Sequence, residues 1–207
     1  MKKNRFKIVP TILAKDFNEF KAKIKFLGSK YKLAQIDVMD GRFVKNKTFS
    51  DFNKIKAIKT PLKYELHLMV KEPLKFIKKY LSHGFDKLTM TIVHYEALKN
   101  DQELSNLIIL AQKRKIKLGL AINPATSIKV LKKYCGLIDT LLIMSVVPGK
   151  SGQKFLPATL NKIKTARKLC PKIKIEIDGG VNTKNIQSIF KAGADCVASA
   201  TMVFGNY

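Results

Sequence analysis

Cysteine is scarce in this chain. Its three cysteines, Cys135, Cys170 and Cys196, are odd in number, far apart and form no CxxC pair, which speaks against a disulfide framework or a structural zinc site and fits a reducing compartment. No apolar run approaches the length of a bilayer span. The basic start MKKNRFKIVPTILAKDF carries only a short apolar run, broken by Pro10, and does not read as a secretory signal. Linker-like and low-complexity stretches are absent as well. With 207 residues, 46% of them hydrophobic, these absences predict one globular domain over residues 1–207, cytoplasmic and without a membrane partner.

Acid is scarce relative to base: 15 Asp and Glu stand against 40 Lys and Arg, a formal net charge of +25. Clustered lysines would indicate a nucleic-acid partner. These are scattered singly or in pairs on helix faces, as in FKAKIKF (20–26) and TLNKIKTARKLC (159–170). They predict a solvated basic surface, no specific nucleic acid, and a field that favours an anionic substrate.

Short β-like runs alternate with amphipathic helical runs along the whole chain. The strands are predicted at 6–13, 33–40, 64–70, 87–95, 117–124, 140–147, 173–180 and 196–204. Seven helical patterns lie between them, with apolar faces such as Phe17, Phe20, Ile24, Leu27 and Leu160, Ile163, Ala166, Leu169. Strict alternation implies parallel strands joined by right-handed crossovers, and eight strands in a chain this short predict a closed (β/α)₈ TIM barrel. A doubly wound open sheet is the alternative, but no GxGxxG follows the first strand. The eighth strand is followed by too few residues for a full last helix, so most or all of it is expected to be missing there. The apolar surface left between the first and eighth strands predicts a homo-oligomer.

Strand parity then assigns faces. Gln35, Asp37 and Met39 share one side of the second strand while Ile36 and Val38 take the other. Glu65, His67 and Met69 repeat the pattern in the third strand, and Glu176 and Asp178 in the seventh. A lone inward acid is most simply a structural partner of a lysine. Asp37, His67 and Asp178, however, all approach the C-terminal ends of barrel strands, where this architecture places catalysis. Two carboxylates and an imidazole converging there are suited to hold a divalent metal, and opposed acids to exchange protons with a substrate.

Three segments with small residues fall at corresponding strand ends: VPGKSGQ (147–153), DGGV (178–181) and ASAT (198–201). Small residues let backbone N–H groups approach an anion, and the loops after strands 7 and 8 often form phosphate sites in barrels. A phosphorylated substrate is expected.

With these residues placed, the sequence resembles the ribulose-phosphate 3-epimerase family. The likeness runs through VPTILAKDF, VMDGRFV, LHLMV, AINPAT, VVPGKSGQKF, EIDGGVN and AGADCVASA and covers essentially the whole chain. It implies interconversion of D-ribulose 5-phosphate and D-xylulose 5-phosphate, a phosphorylated ketopentose pair, on a (β/α)₈ barrel with a divalent metal, zinc or iron. It further implies that Asp37 and Asp178 are the acid/base pair flanking C3 and that both hold the metal with His67. Met39, Met69 and Met144 would line the enediolate site. Thr11, Gly149, Ser151, Gly152, Gln153, Gly179, Gly180, Ala200 and Thr201 would contact the substrate together with His67.

The chain departs from the family pattern in places. Gln35 stands where the family carries a histidine ligand, and an amide offers only a neutral carbonyl oxygen. Lys150 and Ser151 replace Phe and Gly, Ala200 and Thr201 replace Gly and Ser, and Thr11 replaces a serine while keeping its hydroxyl. His94 and Asn123 are read as supporting residues, Asp40 as the holder of the turn at Gly41, and His83 as structural. Two alternative functions share these residues: epimerisation of a related ketose phosphate such as D-allulose 6-phosphate, and non-catalytic binding of phosphosugar or nucleic acid by a degenerate barrel. Retention of both aspartates favours the enzyme.

Overall fold

The computed structural model describes residues 6–82 and 84–205. His83, the first five residues of the basic start and Tyr207 lie outside that range. Eight strands follow one another around a closed barrel: β1 (Ile8–Ile12), β2 (Leu33–Met39), β3 (Lys63–Met69), β4 (Leu88–His94), β5 (Lys117–Ile122), β6 (Thr140–Met144), β7 (Lys174–Asp178) and β8 (Cys196–Ser199). All neighbours pair in parallel, and β8 closes on β1 with Ile8 beside Val197. The TIM barrel expected from the alternation is the fold, with strand limits moved by a few residues.

The parity holds. Ile36, Val38, Leu66, Leu68, Ile175 and Ile177 point outward into the main core under the helices. Met90, Ile92, Ala121, Leu142, Met144 and Val146 form a smaller apolar cluster inside the barrel. Burying about six such side chains outside the sheet stabilises the fold by roughly 1.5–3 kcal/mol each, which is why the polar set has only the barrel interior left to it.

The helices are α1 (Phe17–Leu27), α2 (Phe52–Ala57), α3 (Pro73–Leu81), α4 (Asp101–Lys113), α5 (Thr159–Leu169), α6 (Ile186–Ala192) and α7 (Thr201–Phe204). Local chemistry sets their starts. Asp16 accepts from Glu19 N at 2.9 Å while Glu19 accepts from Lys15 N at 2.7 Å, a reciprocal cap; Asn100 and Glu103 repeat it before α4.

Three expectations are corrected. The β5–β6 crossover carries a 3₁₀ segment, Ile128–Tyr134, and no α-helix; the stretch closes at Gly136, whose φ of +91° turns the chain. The run 196–204 is a strand only to Ser199. Ser199 Oγ accepts from Met202 N at 3.2 Å and Ala200 O from Phe204 N at 2.8 Å, so Met202 and the β-branched Val203 wind into the single turn α7. Phe204 is thereby buried and contacts Phe26 of α1, which stays half exposed.

The third correction concerns cysteine. Cys135, after the 3₁₀ segment, and Cys170, at the end of α5, form a disulfide with Cα atoms 5.5 Å apart, and Cys196 alone is free, buried in β8. The two sulfurs are 35 residues apart in sequence, and only the packing of two consecutive crossovers brings them together. The cysteine-based case for a reducing compartment therefore falls. Among the described residues no helix is long and apolar enough to cross a membrane.

Candidate active site

At the C-terminal end of the barrel β2 and β3 run in register, so Asp37 lies beside His67 and Met39 beside Met69, while Asp178 of β7 lies beside Met144 of β6. Across the barrel these strands bring Asp37, His67 and Asp178 together, all buried, with ligand-capable atoms within 4.8 Å of one another. His67 Nδ1 is 3.1 Å from Asp37 Oδ1 and 3.3 Å from Asp178 Oδ2. Gln35 Nε2 donates to the same two oxygens, at 2.9 and 3.0 Å.

Asp37, His67 and His94 are displaced from their ordinary behaviour. Burial and the neighbouring Asp178 push the Asp37 carboxyl up to about 6, although His67 and Gln35 pull the other way. For His67, burial opposes the charged ring, but hydrogen bonds to Asp178 and Asp37 outweigh it and raise the imidazole to about 10. His67 Nε2 faces His94 Nε2 at 2.8 Å. Burial holds His94 down to about 4, against the pull of Glu96, whose Oε2 is 3.4 Å from His94 Nδ1. Glu96 in turn accepts from Asn123 N at 2.8 Å and from Thr126 Oγ1.

The donor set suits a divalent cation: two carboxylates and one imidazole converge, and the Gln35 carbonyl oxygen is buried with no partner of its own. Such an orphaned acceptor is uncommon in a native interior.

Above this cluster opens a recess. Asp37, Asp178, Met39, Met69 and Met144 form its floor and walls, and Thr11, Gly149–Gln153, Gly179, Gly180, Ala200 and Thr201 form its rim. All the expected site residues are thus assembled, with His67 and Gln35 fully buried under the floor. Thr11 Oγ1 is buried and has no partner. Gly179 and Gly180 have φ of +110° and +62°, and a Cβ on either would meet Val146 or the Phe155 backbone, so only glycine keeps this rim. Gln153, on this rim, also braces the loop: its amide donates to the Val147 and Lys150 carbonyls at 2.6 and 3.0 Å.

Several contributors carried no sequence signal. Ser145 Oγ donates to Asp178 O at 2.9 Å and to Gly179 O, which fixes the end of β7. Thr48 Oγ1 donates to Asp37 O at 2.7 Å and accepts from Met39 N, fixing β2 from a loop. A lone Ser or Thr in a loop is too common for either to stand out. Asp40 holds its turn as expected, accepting from the Arg42, Phe43 and Lys71 amides.

A model of the ribulose-phosphate 3 epimerase family matches residues 7–204. The chain belongs to that family. It is 35% identical to a ribulose-phosphate 3-epimerase of Chlamydia muridarum, over 99% of this chain and 90% of that protein. To one of Bacillus subtilis it is 33% identical, over 97% and 93%. Solved barrels resemble it in fold alone. A mutant tryptophan synthase α-subunit of Pyrococcus furiosus matches with TM-score 0.72 at 15% identity, over 97% of this chain and 91% of that one. A 3-hexulose-6-phosphate synthase matches with 0.66 at 15% identity, over the same shares.

Proposed function

We propose that the protein interconverts D-ribulose 5-phosphate and D-xylulose 5-phosphate by moving a proton at C3. The observation that carries this reading is that Asp37 and Asp178, from opposite parts of the barrel wall, meet under one recess and share two nitrogen donors. One carboxylate removes the C3 proton and the other returns a proton to the opposite face of the enediolate, so the configuration inverts without net loss of a proton. An acid raised toward neutrality, as Asp37 is, serves well in both directions. His67 and Gln35 hold the two carboxylates in place and keep them from repelling each other.

Asp37, His67 and Asp178 would hold a divalent cation, which when bound supplies positive charge beside the enediolate oxygens. Met39, Met69 and Met144 wall the reacting carbon from water with polarizable groups. The phosphate would lie against the Gly149–Gly152 and Gly179–Gly180 loops and Ala200–Thr201, with Thr11 offering its unpartnered hydroxyl. The scattered lysines add an attractive field for this dianion. A place in the cytoplasm belongs to the same reading: charged sugar phosphates do not cross membranes, so the enzyme has to share the compartment in which its substrate is made. A homo-oligomer joined around the half-exposed Phe26 belongs to the same reading.

The test is a coupled assay for D-xylulose 5-phosphate formed from D-ribulose 5-phosphate, run beside D-allulose 6-phosphate. Preference for the pentose supports the proposal. Turnover of the hexose alone, or of neither sugar, sinks it.

A further inference from the structure

We propose that Gln35 is a two-position residue, its amide nitrogen tying the two carboxylates together when the site is free of metal and its carbonyl oxygen turning in as a ligand when a divalent cation binds. The inference rests on the functional reading above only in taking Asp37, His67 and Asp178 as a cation site. Four atoms alternate around a small ring: Asp37 Oδ1, Gln35 Nε2, Asp178 Oδ2 and His67 Nδ1, with contacts of 2.9, 3.0, 3.3 and 3.1 Å. The terminal atom of Gln35 that faces two carboxylates has to be the NH₂ group, because it has two hydrogens to give and a carbonyl there would meet two negative oxygens. Its oxygen is therefore turned away, into a place where it is buried and unpartnered. Gln35 itself is fully buried, so bulk solvent does not reach that oxygen.

A cation among the same three ligands inverts the preference. The NH₂ hydrogens would then point at positive charge, and the orphaned oxygen would find a partner by a half-turn of the amide. Nitrogen and oxygen of an amide are nearly the same size, and the terminal torsion of Gln is broad and roughly two-fold, so the half-turn is sterically cheap; it leaves the NH₂ in the place the oxygen vacates, a cost the contact between cation and oxygen has to exceed. The resulting set has one imidazole and otherwise oxygen donors. Oxygen-rich sets favour manganese and magnesium, whereas added imidazole favours zinc. The chain's own departure at position 35 thus biases the site toward a harder divalent cation of the manganese class.

The experiment strips the full-length protein with chelator and titrates Mn²⁺ and Zn²⁺ separately against a metal-selective indicator, for wild type, Gln35→Leu and Gln35→His. Melting curves of the stripped proteins are recorded in parallel. Gln35→Leu should melt lower than wild type when stripped and bind Mn²⁺ about tenfold more weakly or worse, in the range expected when a metal's surroundings lose a partner. Gln35→His should raise the ratio of Zn²⁺ to Mn²⁺ affinity by about tenfold or more. If Gln35→Leu does not fold, the ratio in Gln35→His decides. An unchanged ratio, or Mn²⁺ affinity in Gln35→Leu equal to wild type, overturns the proposal, as does wild type that binds neither ion. None of these readouts uses substrate. An inactive protein that shows the shifts would reject the epimerase reading alone, and an active epimerase with flat ratios would reject the role of Gln35 alone.

Discussion

His67 and His94 face each other through their Nε2 atoms at 2.8 Å, both rings fully buried and stacked with centroids 5.0 Å apart. Only one proton fits between two nitrogens at that distance. Burial keeps His94 neutral, with its own proton on Nδ1 beside Glu96 Oε2, so His94 Nε2 is the acceptor and His67 Nε2 the donor. The His67 nitrogen turned toward the carboxylates is then Nδ1, in the tautomer in which Nε2 carries the ring proton once Nδ1 holds a cation.

From this relationship, His94→Leu should weaken divalent-metal binding by about 10–100-fold, the usual cost of removing a partner that orients a ligating histidine. His94→Gln, which can accept through its carbonyl oxygen, should recover part of the loss. Indicator competition on the purified variants measures both, and equal affinities for wild type and His94→Leu would show that the ring only fills space.

Asp37→Asn and Asp178→Asn should each lower kcat by at least roughly 10²-fold, the lower range for a positioned acid or base. Both positions are buried and packed the same way by amide or acid, so circular dichroism can verify the fold. Measuring C3 proton exchange with solvent deuterium separates the two: loss of one acid should still allow exchange on the face served by the other. Near-wild-type epimerisation by either folded variant contradicts the two-acid mechanism.

Below the active cluster the barrel holds a second pair of inward acids. Glu176 is fully buried and paired with Lys174 at 2.7 Å, and Glu65 has an oxygen with no partner. Burial, with the negative Glu176 next to it, raises the Glu65 carboxyl to about 9 from an ordinary 4.5. Between those values the unfolded chain has released a proton that the folded chain keeps. Stability from this group is therefore complete below pH 4.5 and drains away as pH rises toward 9. Glu65→Gln should melt near wild type at pH 5 and gain on it steadily up to pH 9. Parallel melting profiles across that range would remove Glu65 from the account.

The Cys135–Cys170 bond predicts one reactive thiol per chain, Cys196, in protein purified and denatured without reductant, and three after reduction. Closing 35 residues into a loop stabilises a fold by roughly 3–4 kcal/mol in the chain-entropy model, so reduction should lower the melting temperature by several degrees. Three reactive thiols before reduction would show that the pair stays open in solution.

Strand parity and periodicity sufficed to place Gln35, Asp37, His67, Glu65, Glu176 and Asp178 inside a barrel, because a two-residue repeat of apolar side chains leaves its polar partners no other face. Order along the chain likewise sufficed for the closed sheet, since alternating elements joined by right-handed crossovers have few ways to pack. Depth in the barrel was not legible. Glu176 and Asp178 obey the same parity two residues apart, yet one meets Lys174 below and the other meets His67 and Gln35 beneath the recess. The contacts made between neighbouring strands and crossovers were equally hidden: His94 against His67, Ser145 on the end of β7, Cys135 on Cys170. A local pattern reports which face a side chain takes, because the backbone sets that within two or three residues. Which groups it meets there depends on where a closed barrel brings the other strands, and closure exists only in the tertiary structure.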